Sequence, residues 1–217
     1  MMETLRYQVR PTLFSDLQCY VLDGDGLEYS EQPSREATRK QAAPKAPVRV
    51  PLSAIRQIRL SYNPGRYDSN RFECQIQSDA PGPLARCTLV SLHFRGLADF
   101  VDQGDSYGPF VRALCQRVAA HNPAVRILGG HSPLAYYAGL FFFGLVLVGG
   151  AALLLTHFEQ VMRNTRAVLR LALVGMLLGV MLLALRRNRP RALSATALPD
   201  ELLPKPAAPA TPPTAAP

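Results

Sequence analysis

The segment that decides how this chain is built is Ser132–Thr156, SPLAYYAGLFFFGLVLVGGAALLLT, 25 residues without a charge. As a helix rising ~1.5 Å per residue it reaches ~37 Å, enough for a hydrocarbon core of ~30 Å. Pro133 suits a first helical turn, where its missing N–H costs little. Tyr136 and Tyr137 fit the aromatic belt of an interface. A second apolar run, Leu171–Leu185, has 15 uncharged residues. Extended back to Ala167 it includes Arg170, whose head can snorkel to the lipid headgroups. The expectation is a two-helix transmembrane hairpin, with spans at 132–157 and 167–186 joined by a short polar loop at 158–166.

Charge sets the expected orientation. The chain carries 24 Lys+Arg against 16 Asp+Glu, a net +8. Up to His131 there are 16 basic and 13 acidic residues, so the excess lies with the apolar blocks. Arg186, Arg187, Arg189 and Arg191 follow the second block directly, as a headgroup anchor would. Eight basic residues flank the outer ends of the two spans and three, Arg163, Arg166 and Arg170, lie between them. The positive-inside bias then places both termini in the cytoplasm. MMETLRYQVRPTLF holds no apolar core of a signal peptide, so the region ahead of the spans is expected to stay cytosolic with its four cysteines reduced. Nucleic acid is not the expected partner, because the basic excess is not spread over one folded face with interleaved aromatics. Arg outnumbers Lys 21 to 3 beside abundant Ala and Pro, a composition of high-GC bacterial genomes.

Residues 1–125 read as a small mainly β domain. Strand patterns occur at Leu5–Arg10, Gln18–Leu22, Leu27–Ser30, Val48–Val50, Ile55–Tyr62, Phe72–Gln77, Cys87–Phe94 and Ala98–Val101. Asp23-Gly24-Asp25-Gly26 between two apolar runs is a hairpin signal. In Ile55–Tyr62, Ile58, Leu60 and Tyr62 alternate with Gln57, Arg59 and Ser61, the pattern of a half-buried strand. Residues 31–47 lack any large apolar side chain and read as a flexible loop. A closing helix, capped near Asp105 or Ser106 and ended by Asn122-Pro123, carries Phe110, Val111, Leu114, Cys115 and Val118 on one stripe. The order is about seven strands and one amphipathic helix, which can plug an open sheet or barrel.

This order resembles bacterial pleckstrin-homology-like (PH-like) domain proteins with a C-terminal transmembrane hairpin, an uncharacterised membrane protein family. The matching elements are Asp23–Gly26, the segment VPLSAIRQIRL and the terminal helix SYGPFVRALCQRVAAH. The resemblance implies an α+β fold of PH-like type, membrane attachment, and protein or lipid contacts without catalysis.

Four site readings follow. Arg56, Arg59, Arg66 and Arg71 surround the connection after Tyr62 and can contact anionic headgroups or a partner; the competing reading is a solvated strand face paired with acids such as Asp68 or Glu73. Gly175 and Gly179 form a GxxxG, and Ala135 with Gly139 a small-xxx-small pair, spacings that let helices approach within the hairpin or between protomers. Cys74 and Cys87 stand where a hairpin can oppose them, though small buried fillers fit a reducing compartment better. The tail 187–217 reads as a disordered Pro/Ala-rich extension, with Leu198, Leu202 and Leu203 as the alternative of a short docking segment.

No metal site or cofactor is expected. His93, His121, His131 and His157 form no HxxH or Cys/His cluster, and Asp23, Asp25, Glu28 and Glu31 lack the calcium-loop spacing. Phosphate-loop, dinucleotide and nucleophile-elbow motifs are absent. The expectation is therefore a non-enzymatic protein of the bacterial inner membrane, presenting a binding or scaffold domain at the cytoplasmic face. The alternative is an accessory subunit that packs through its hairpin into a larger membrane complex, or into a homo-oligomer. An enzyme acting on a membrane substrate would need a concave site with convergent titratable groups.

Overall fold

A computed structural model describes residues 3–12, 14–32, 46–64, 71–96, 99–163 and 165–204. They divide into two units. One holds the chain up to Gly129 together with residues from Ala192 onward, and the other spans Gly130–Arg191.

The first unit is an α+β domain. Strands β1 (Leu5–Val9), β2 (Leu17–Leu22), β3 (Gly26–Gln32) and β4 (Val48–Pro51) form an antiparallel meander in that order. The Asp23–Gly26 turn closes the β2–β3 hairpin as expected: Leu22 pairs with Leu27, and the Asp23 N–H donates to the Gly26 carbonyl at 3.0 Å. A second meander, β5 (Ile55–Tyr62), β6 (Phe72–Ser78) and β7 (Arg86–Val90), is extended beyond β5 by β10 (Arg126–Gly129) and β11 (Arg191–Ala192). In β5 the expected alternation holds over Ile58–Leu60 and ends there: Ile58, Leu60 and Tyr62 are buried, but so is Ser61, expected on the polar side. Ile55 is buried too, because an irregularity between Ile55 and Gln57 resets the phase and leaves Arg56 pointing outward.

The run Cys87–Phe94, expected as one strand, is two. Ser91 interrupts it: its hydroxyl accepts the Phe72 N–H at 2.9 Å, its own N–H donates to the Phe72 carbonyl, and its carbonyl accepts the Gln103 N–H. Beyond it, β8 (Leu92–Gly96) pairs with β9 (Asp99–Asp102) as a separate ribbon. Residues 126–129, beyond the expected end of the domain at 125, become β10, which lies parallel to β5. A four-residue strand joined through a helical crossover leaves too short a pattern to read from sequence.

Helix α1 spans Gly104–His121, starting slightly before the expected cap; Asp102 Oδ1 accepts the Gly104 N–H at 2.8 Å. Pro109 therefore falls inside the helix rather than in its first turn. The expected stripe Phe110, Val111, Leu114, Cys115 and Val118 is buried, and Tyr107 joins it. The Tyr7 ring packs against Tyr107 and Phe110 at centroid distances of 5.8 and 5.6 Å. Arg117 ties α1 to the first meander, donating to the carbonyls of Leu22, Asp23 and Glu3 at 3.1, 2.9 and 2.6 Å.

Most of the expected flexible loop, from 33 to 45, lies outside the described residues; Glu31 and Gln32 belong to β3. The expected disordered tail is the larger departure. Residues 191–204 are built into the domain as β11, a bridge between Ser194 and Ala197, and a 3₁₀ turn at Asp200–Leu202. The Leu193 N–H donates to the Ile127 carbonyl at 2.8 Å. Leu202 and Leu203 are 0% and 1% exposed and belong to the same core as α1 and both meanders, with Leu193, Ala195 and Leu198 packed on it. Two fully buried leucines contribute roughly 3–6 kcal/mol before ordering costs, which is why a Pro/Ala-rich segment adopts one place. The tail from 205 to 217 lies outside the described residues.

The second unit is a helix pair. Helix α2 runs Pro133–Arg163 and α3 runs Thr165–Arg187, so the expected loop at 158–166 is mostly helical. By the rise per residue they are ~46 Å and ~34 Å long. The two touch along a seam and are pinned at their outer ends. There the His131 N–H donates to the Asn188 carbonyl at 3.0 Å. Gly130 sits at φ +80°, and a Cβ at that position would collide with the Asn188 and Arg189 carbonyls, so only glycine fits. Among the described residues one helix is long and apolar enough to cross a membrane, α2 over Pro133–Thr156. The expected second span lies within α3, but its uncharged run of ~22 Å is bounded by Arg170 and Arg186.

Replacing Leu202 with Ala should destabilise the domain by about 2–5 kcal/mol, the usual cost of a buried leucine-to-alanine truncation. Urea unfolding followed at a domain tyrosine or by circular dichroism measures this, and a change within error of zero would place Leu202 outside the core.

Candidate functional site

Among the described residues, two of the four expected site arginines, Arg56 and Arg71, are held in separate ion pairs. Arg56 Nε is paired with Asp79 at the exposed start of β5. Arg71 Nη2 lies 3.0 Å from Glu73 Oε1, which also accepts from Asn63 Nδ2 at 3.0 Å. Glu73 is itself buried, so this pair is a structural element of the β5–β6 end rather than a free headgroup contact. Burial lowers the pKa of the half-buried Arg59. Arg66 lies outside the described residues. The competing reading of these arginines, charge pairs along a strand face, is the one the geometry fits at Arg56 and Arg71.

The acidic turn is also occupied. Arg49 Nη2 lies 2.7 Å from Asp25 Oδ1 and 3.5 Å from Asp23 Oδ2, across the β2–β3 turn. Among the described residues no group of three or more His, Cys, Asp or Glu is placed to hold a metal ion. His93 Nδ1 accepts the Arg10 N–H at 3.2 Å, linking β8 to the end of β1. Burial, then Arg10 and Arg95, lowers the His93 pKa and favours the neutral ring that this bond requires.

Cys19, Cys74, Cys87 and Cys115 are free thiols and buried. Cys74 and Cys87 lie on paired strands but not opposite each other: Cys74 faces Leu89 and Cys87 faces Ile76. They serve as small apolar fillers of the core.

On the helix pair, the side that turns inward is marked by the half-buried Tyr136, Gly139, Phe143 and Val146 of α2 and by Leu178, Met181, Leu182 and Leu185 of α3. These recur every three to four residues, the spacing of a packed helix face. Gly139 provides the close approach, since a Cβ there would sit 3.3 Å from Leu185 Cδ2. The Ala135/Gly139 spacing therefore works within the pair. Gly175 and Gly179 do not: both are exposed, and an added Cβ at either would meet nothing within 4 Å. The remaining surface is apolar, with Leu134, Phe141, Val148, Leu155 and Met176 among the exposed large side chains. An exposed apolar surface of this kind is suited to contact with lipid or protein. Arg186 and Arg187 close the last turn of α3, where the helix dipole favours cations, and with Arg189 and Arg191 they are exposed.

A site that sequence reading did not assign lies in the domain, where the tail meets α1. Arg112 Nη2 holds Asp200 Oδ1 at 2.8 Å. Pro204 packs against Gly104 so closely that a Cβ there would come within 2.8 Å of it. Beside this contact an open groove of about 700 Å³ is lined by Gly104, Gly108, Pro109, Arg112, Asp200 and Pro204. The signal was present in the sequence: Leu198, Leu202 and Leu203 are nearly the only large apolar residues of the tail. What the sequence did not show is their receptor, the core shared by the two meanders and α1. Comparison with protein-family models, with curated proteins and with solved structures found no match to this chain.

The core thiols give a pH test of the packing. Burial pushes Cys87 and Cys115 up to about 12, and Cys74 well above its ordinary value near 9. The folded state thus holds protons that the unfolded chain releases above pH 9. Stability from these thiols is complete below pH 9 and drains as the pH rises toward 12. The melting temperature should fall across that window, and less steeply in a Cys87→Ala, Cys115→Ala chain; equal slopes would mean the thiols are solvated.

Proposed function

We propose that this chain is a non-enzymatic integral membrane protein of the bacterial inner membrane. In this reading a PH-like domain is presented at the cytoplasmic face by a two-helix hairpin, to bind a protein partner or anionic headgroups beside the bilayer. The observation that carries it is the return of the chain. The domain supplies the residues before α2, and Leu202 and Leu203, which follow α3, are buried in the core of that same domain. If α2 crosses a bilayer, α3 has to bring the chain back, and the short apolar run of α3 suffices when Arg170 and Arg186 reach the headgroups. The exposed apolar surface of the pair supports lipid as its surroundings.

The PH-like assignment is supported by the strand order, a four-stranded meander and then a three-stranded one, followed by a helix in the core they share. It carries no catalytic implication. Orientation rests on the arginines: the exposed cluster Arg186–Arg191 closes the pair on the side from which the chain enters and leaves. That cluster, rather than the paired Arg56 and Arg71, is the better headgroup contact. The tether concentrates the domain at the surface, so weak contacts are sufficient.

Protease protection tests the orientation. In intact spheroplasts the domain and a C-terminal tag should both survive external protease, and in inside-out vesicles both should be digested. Loss of residues 1–129 from intact spheroplasts would overturn the reading.

A second reading rests on Gly175 and Gly179. Their open surroundings leave a close-approach surface on α3 that the chain itself does not use. The pair then packs into a larger membrane complex or a homo-oligomer. Replacing both glycines by leucine should reduce the native-gel size in mild detergent, and an unchanged size would count against it.

A further inference from the structure

Near its pinned end the helix pair carries an apolar groove of about 320 Å³. Its walls are Ala135 and Gly139 of α2, Met181, Ala184 and Leu185 of α3, and His131 just before α2. Small residues at 135, 139 and 184 make the concavity, with Met181 and Leu185 as the longer side chains beside them. One end of the groove is basic. The His131 N–H donates to the Asn188 carbonyl, and a Cβ on Gly130 would come within 2.6 Å of the Arg189 carbonyl. Arg189 therefore stands beside His131, and Arg186 directly follows the lining Leu185. Both arginines are exposed. From Gly130 to Arg191 the sequence has seven arginines and a single acid, Glu159. Glu159 lies 20 residues along α2 from Gly139, ~30 Å by the helical rise, so it does not offset this charge.

The walls select the occupant. A peptide backbone laid among alanine, glycine, methionine and leucine would leave its N–H and C=O groups unsatisfied. A hydrocarbon chain has no such groups and gains dispersion contact along the same walls. The arginines add a preference for a negative head. We infer that this groove is a binding site for one anionic phospholipid. An acyl chain lies between α2 and α3, and Arg189 meets the phosphate with Arg186 adding to the field. The helix pair thus has a lipid ligand of its own, distinct from the bulk bilayer around it. The inference rests on the membrane reading proposed above, and the test separates the two.

The chain has no Trp, so one introduced indole reports on one place. Phe142→Trp sits three residues beyond Gly139, on the groove side of α2. Val148→Trp, at a position 70% exposed, is the control away from the groove. The full-length variants are reconstituted in phosphatidylcholine bilayers, and chain-brominated phosphatidylglycerol or phosphatidylcholine is titrated in as quencher. At Phe142→Trp the glycerol lipid should quench at about fivefold lower mole fraction, the preference expected of an arginine near an anionic head. At Val148→Trp the two lipids should quench alike. Adding Arg186→Gln and Arg189→Gln should remove the preference at Phe142→Trp while phosphatidylcholine still quenches. Filling the groove with Ala135→Leu and Ala184→Leu should weaken quenching by both lipids at Phe142→Trp and leave Val148→Trp unchanged. Equal preference at both reporters would overturn the inference and leave the membrane reading standing. So would a preference that survives the arginine substitutions. Quenching at neither reporter would overturn the membrane reading, and the inference with it.

Discussion

The burial of Leu202 and Leu203 constrains everything that precedes them. These two side chains lie some 70 residues beyond the last strand that the chain lays down before its apolar helices. A core that includes them is incomplete until α2 and α3 have been made and the chain has come back. That condition joins the two units topologically. It makes the outer ends of the helix pair neighbours, and Gly130 with Asn188 shows the closeness in the backbone itself.

The charge distribution fits the same arrangement. Arginines inside the domain are largely structural: Arg117 holds three carbonyls, Arg49 spans an acidic turn, and Arg71 supports a buried glutamate. Arginines at the end of α3 are exposed and sit where the helix dipole favours cations. The net +8 of the chain is therefore two populations with different work, and only position in the fold separates them.

Legibility followed the range of the interaction. The Asp23–Gly26 hairpin, the alternation in β5 and the stripe on α1 are local patterns, set by turn chemistry and by a repeat of two or of about 3.6 residues. They were readable. The break at Ser91 was not, because it is made by hydrogen bonds to Phe72 and Gln103. Strand β10 was not, because its partner is β5, nearly 70 residues earlier. The arginine face at Arg56 and Arg71 needed the positions of Asp79 and Glu73 before charge pairs outweighed a headgroup site. The glycine spacings were both visible, but only the packed helices show that Gly139 faces Leu185 while Gly175 and Gly179 face outward.

The sequence by itself determined the division of this chain into a polar β-rich part and an apolar helical part, the start of α2, and the placing of arginines at the outer end of the apolar part. Those are properties of composition and short periodicity, which survive in any conformation. Tertiary structure alone decided the fate of the tail. A segment rich in proline and alanine with four leucines has no local reason to settle, since its ordering entropy exceeds what it can bury on itself. It settles because α1 offers Arg112 to Asp200 and Gly104 to Pro204, and the core has space for two leucines. Affinity for a distant surface is a property of the pair, and one member of a pair cannot reveal it.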